Sequence, residues 1–133
     1  MKNDMMLFPI TRCSIADRDH KRSLRQYAHT FHKGKNTNII CVASAIWDLP
    51  QRNLCGILAH EIGHLLAGQK ASEDTADAAV EIELGIVIRY ADGKYGDRLQ
   101  FLDATDLAKF ARLVRLLQPR RMRPSAIVLH RVQ

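Results

Sequence analysis

At 133 residues, 47% apolar and 26% charged, the chain can bury one hydrophobic core but not two, so residues 1–133 read as a single domain. It has no run of eighteen apolar residues, and its start, Met1-Lys2-Asn3-Asp4-Met5-Met6-Leu7-Phe8-Pro9, is too briefly apolar for a secretion signal; this argues against membrane insertion and points to the cytoplasm. The net charge of +6 divides into +5 over residues 1–35, −5 over 36–85 and +6 over 86–133, and basic flanks of this kind more often mark a solvated face than a nucleic-acid or membrane surface.

Residues 15–32 carry Leu24, Tyr27, Ala28 and Phe31 at helical spacing in a polar stretch, which predicts a surface-lying first helix ended by Gly34. The β-branched run Ile39-Ile40-Cys41-Val42-Ala43, bounded by Asn38 and Ser44, predicts a strand whose free edge could accept an extended peptide. Trp47 anchors the turn that follows. Asp48 and Gln51 stand three apart with Pro50 between them, an N-terminal cap signature. Beyond it Leu54, Ile57, Leu58, Ile62, Leu65 and Leu66 recur at three or four residues as far as Gly68, the pattern of a buried helix and its stop. Gly56 and Gly63 lie seven apart on one side of that helix, where missing side chains let a strand or helix come close.

Ser72 can cap a second helix with Glu73 and Asp74 in its first turn and Gly85 as its stop. Ile86-Val87-Ile88-Arg89-Tyr90, the turn residues Ala91-Asp92-Gly93 and Arg98-Leu99-Gln100-Phe101-Leu102 predict a hairpin, with a helix continued through Tyr90 as the competing assignment. Asp103 and Asp106 open a last helix with Leu107, Phe110, Ala111, Val114 and Leu117 on one face, ended by Pro119. Residues 119–133 form a basic linker and a short β-forming run at 127–130. As a regulatory or interaction tail, this segment could lie along the acidic cleft or pair with a second copy in a homodimer. His130 within it reads as an ordinary residue and not a ligand. Cys13, Cys41 and Cys55 are odd in number and irregular in spacing, which favours reduced thiols over a disulfide framework and places Cys41 and Cys55 in the core.

The chemistry is concentrated in His60-Glu61-Ile62-Gly63-His64. A helix advances about 100° per residue, so histidines four apart project from one face and can share a metal ion. Neutral imidazole is a good zinc ligand, and Glu61, off that face, can take a proton from a metal-bound water. Catalytic zinc usually keeps three protein ligands, so Glu73 can complete the set. Asp77, one turn further on, can accept the outer N–H of a ligating histidine.

These residues resemble the signature of the gluzincin metallopeptidases, a helix bearing H-E-x-x-H followed by a helix bearing E-x-x-x-D. Both parts stand here, as His60-Glu61-Ile62-Gly63-His64 and Glu73-Asp74-Thr75-Ala76-Asp77. The wording from Ile57 to Leu66 is most similar to the very small members, the minigluzincins and the bacterial peptidases that act on regulators. The resemblance covers residues 39–85. It implies an α+β, zincin-like fold in which a small mixed sheet packs on the two active-site helices. It also implies zinc held by His60, His64 and Glu73, Glu61 as general base, Asp77 supporting His60, and a protein or peptide substrate.

Only eight residues separate His64 from Glu73, fewer than in many gluzincins, and a loop too tight to bring Glu73 round would leave Asp74, Asp77 or Glu81 as third ligand. A metzincin site is disfavoured because Lys70 stands where its third histidine would be. Tyr90, Tyr95, His32 and Arg98 are the available donors to a developing oxyanion. Two other functions compete with hydrolysis: an inactive metal-binding regulatory protein of the same fold, and a basic nucleic-acid-binding protein. The second is disfavoured by the lack of aromatic interleaving or any nucleic-acid module.

Overall fold

The β-branched run around Ile40 is strand β3 (Asn38–Val42), and it is paired on both sides. The computed structural model describes residues 4–12, 28–32, 38–42, 44–68, 71–92, 98–117 and 125–131. Strand β1 (Asp4–Arg12) runs parallel to β3, pairing Ile10 with Ile40, while β2 (Ala28–His32) runs antiparallel to it, pairing Thr30 with Ile40. Residues 28–32 are therefore not the end of a helix, as their spacing predicts; residues 15–27 lie outside the described set. Thr30 and Phe31 suit a pleated surface, and pairing with β3 outweighs a weak helical period. Because β2 and β1 flank β3, the expected free edge on β3 is absent, and among the described residues the edge strands are β2 and β6.

The C-terminal part departs further from expectation. Helix α3 (Ala104–Leu113) starts where predicted, with Asp103 accepting the Asp106 N–H at 2.8 Å, but it stops at Leu113. Val114 turns to φ −124° and ψ 125° and opens β6 (Val114–Leu117). Its partner is β7 (Ser125–Arg131), which is antiparallel to β6 on one side and to β1 on the other. A Val-Arg-Leu-Leu run can serve either period, and the hydrogen bonds offered by β7 decide it. The strand expected at 127–130 is thus interior to a five-stranded mixed sheet of order β2-β3-β1-β7-β6. Both sides of β7 are filled, by β1 and β6, so its own backbone offers no open edge to a further strand.

Against this sheet lies α1 (Gln51–Ala67), in which every residue from Leu54 to His64 is buried. A helix enclosed all round belongs to the core. It is entered through a 3-10 turn (Ser44–Asp48), and Pro50 holds the cap position with no side-chain hydrogen bond. Asp48 is consequently not the cap: it ends the 3-10 turn, while the Pro50 carbonyl accepts from the Asn53 and Leu54 N–H groups. Trp47 packs against the core as expected. Ile40, Ile46, Leu58, Ile62, Ile86 and Leu102 are fully enclosed there, each worth roughly 1.5–3 kcal/mol relative to exposure.

Gly68 ends α1, and Ser72 caps α2 (Glu73–Leu84) by accepting the Thr75 N–H at 3.1 Å. Gly85, left-handed at φ 69°, stops α2, which removes the helix continued through Tyr90. Strands β4 (Arg89–Asp92) and β5 (Arg98–Phe101) form the hairpin instead. The fold is α+β, and no helix among the described residues is long and apolar enough to cross a membrane.

The two glycines of α1 do what their spacing suggests. A Cβ on Gly56 would lie 2.6 Å from the Phe101 backbone, and one on Gly63 only 2.2 Å from the Ala76 carbonyl oxygen. Cys41 and Cys55 are buried as expected, but Cys41 is disulfide-bonded. The expectation of three reduced thiols fails there, because an odd count still permits one bond and one thiol left over. Cys55 is free, and burial pushes its thiol up to about 11.

Gly63→Ala must push α2 away from α1, and we expect a loss on the order of 1–3 kcal/mol in urea unfolding; unchanged stability would show that the contact can relax. Cys55, neutral and enclosed, should resist an aromatic disulfide reagent at mildly alkaline pH in the native protein and react on unfolding. Rapid native labelling would contradict this.

Candidate metal centre

His60 and His64, one turn apart on α1, face α2 with their ring centroids 4.8 Å apart and nearly perpendicular. Both are buried, His60 to 2% exposure. Buried imidazoles need polar partners, and α2 supplies them. Glu73, its first residue, contacts His60 Nε2 with one carboxylate oxygen and approaches His64 Nε2 to 3.3 Å with the other. The short loop before Ser72 therefore does bring Glu73 round.

One ring nitrogen of each histidine and a carboxylate oxygen of Glu73 lie within 4.8 Å of one another. Ligand atoms around a tetrahedral ion with bonds of about 2.0–2.2 Å lie roughly 3.3 Å apart, and these three side chains are close enough together to hold a metal ion. Of the other acids considered, Asp74 and Glu81 are exposed, and Asp77 faces a different nitrogen. Glu73 is itself 72% exposed, which leaves the cluster open to solvent on the α2 side.

His60 Nδ1 lies 2.6 Å from Asp77 Oδ1. Donation from Nδ1 to this carboxylate leaves the Nε2 lone pair directed at Glu73 and His64. Burial opposes charge on His60, but the Asp77 hydrogen bond and the carboxylates of Glu61, Asp77 and Glu73 outweigh it and raise its pKa. Glu61 is buried. Desolvation pushes its carboxyl up to about 8, with Glu73 and Asp77 adding to the shift and His60 opposing it. A cation close by would favour the ionised form.

The structure accounts for one of the four oxyanion candidates. Tyr90 donates its hydroxyl to Asp77 Oδ2 and lies 3.5 Å from His60 Nδ1. It therefore sits behind the imidazole, away from the Nε2 cluster. Tyr95 and the side chains of His32 and Arg98 lie outside the described residues. The Tyr90 contact joins a hairpin to a helix thirteen residues earlier, and no local sequence signal announces it.

No family model matches the chain, and no match was found among curated proteins or solved structures.

Removing one imidazole from a three-donor set should abolish tight binding of a divalent cation. The parent protein is expected to retain equimolar zinc after desalting, and His60→Ala and His64→Ala are each expected to lose it, measured by elemental analysis. Full zinc content in either variant would exclude that histidine as a ligand.

Proposed function

We propose that this protein is a zinc-dependent metallopeptidase of the gluzincin type with a zincin-like fold. The observation that carries the proposal is the convergence of His60, His64 and Glu73 from two adjacent helices, with Glu61 buried beside them. Two imidazoles and one carboxylate are a donor set suited to zinc, and three protein ligands leave a position for substrate or water. Zinc held there would polarise a scissile carbonyl and bring the pKa of a nearby water towards neutrality.

The remaining work falls to the chain's own side chains. Glu61 accepts a proton from the attacking water and returns it to the leaving amine. Its burial keeps that exchange out of competing solvent. Asp77 fixes the His60 ring through Nδ1, so this imidazole keeps Nε2 towards the cluster. The edge strand β2 lies against α1, and an extended peptide adding to its outer edge would run past the helix that carries His60 and Glu61.

Casein or a peptide library incubated with zinc-loaded protein, with and without a chelator, tests this function. Hydrolysis should require zinc, and Glu61→Gln should retain zinc while losing on the order of 10²–10⁴ in turnover. Hydrolysis indifferent to chelation, or preserved in Glu61→Gln, would overturn the assignment. Bound zinc without hydrolysis of any substrate would favour the inactive regulatory protein.

A further inference from the structure

Tyr90 is held to the metal centre from a direction the H-E-x-x-H motif does not specify. Its hydroxyl donates to Asp77 Oδ2, while Asp77 Oδ1 accepts from His60 Nδ1 at 2.6 Å. One carboxylate thus joins a phenol to an imidazole, and each of its oxygens has a donor. Such a bridge keeps Asp77 from rotating away from His60 and fixes which ring nitrogen carries the proton.

The anchorage of Tyr90 makes this more than a chance contact. Tyr90 pairs with Gln100 across the β4–β5 hairpin, and the hairpin is fastened to α1 at several points. Asn53 Nδ2 donates to the Gln100 carbonyl at 3.2 Å, Arg52 Nε donates to the Leu102 carbonyl at 2.8 Å, and the Leu102 N–H returns to the Arg52 carbonyl at 3.1 Å. At Gly56 the absence of a Cβ lets the Phe101 backbone lie against the helix. The helix that bears His60 therefore also positions the hairpin that bears Tyr90, and the two meet at Asp77 on α2.

We propose that Tyr90 is a positioning residue of the metal centre, acting through Asp77 to hold His60 with Nε2 directed at the metal. This rests on the reading of His60, His64 and Glu73 as metal ligands. Tyr90→Phe keeps the ring and its packing and removes only the hydroxyl. Loss of a partner behind a ligating histidine typically weakens metal binding 10–100-fold, and a partner one residue further removed should fall at about tenfold.

The test is a double-mutant cycle read by zinc affinity, in competition with a chromophoric chelator, on the parent protein, Tyr90→Phe, Asp77→Ala and the double variant. Circular dichroism establishes that each is folded. Tyr90→Phe should weaken zinc binding in the parent and have no further effect once Asp77 is gone. In metal-free protein, the His60 Nδ1 proton followed by NMR should exchange with water faster in Tyr90→Phe. Parent-like zinc affinity and proton exchange in Tyr90→Phe, or the same loss of affinity with and without Asp77, would overturn the proposal. A parent protein that binds no zinc would instead overturn the metal reading itself, and the role of Tyr90 with it.

Discussion

Helix α1 passes α2 at a distance only glycine permits: at Gly63 the Ala76 carbonyl occupies the space a methyl group would need. Everything at the centre depends on that approach. Two imidazoles enclosed in an apolar helix are costly unless polar groups reach them, and the groups that do, Glu73 and Asp77, stand on α2. The capped first turn of α2 brings Glu73 to Nε2, and the second turn brings Asp77 to Nδ1 of the same histidine. A helix pair held further apart would leave His60 buried without these partners.

What could be read from the sequence is what short-range chemistry decides. The Ser72 and Asp103 caps, the stops at Gly68 and Gly85, the spacing of His60 and His64 and the role of the α1 glycines all follow from neighbours within a turn or two. The meeting of Glu73 and Asp77 with His60 was legible because a short loop leaves adjacent helices little choice of arrangement. The cap pattern at Asp48 misleads, because such a side-chain pattern says nothing of the 3-10 turn that ends on it.

The sheet was less legible for a related reason. Strand β1 has no alternating pattern strong enough to announce it, and β2 and β6 carry apolar residues at spacings that suit a helix as well. Their conformation is settled by partners far along the chain: β2 by β3, and β6 by β7. The bond at Cys41 and the hydroxyl of Tyr90 at Asp77 belong to the same class, contacts between segments whose proximity exists only once the fold does.

The pairing of β1 with β7 joins opposite ends of the sequence, Asp4 beside Arg131 and Ile10 beside Ser125. Helices α1 and α2 can assemble from contacts close in sequence, whereas this ladder must close nearly the whole chain into a loop, a step of high contact order that topology makes slow. Among the described residues, strand β7 is also what links β6 to the rest of the sheet. Shortening the chain before Ser125 would strand β6 and leave one side of β1 unpaired, so such a cut removes architecture along with the segment itself.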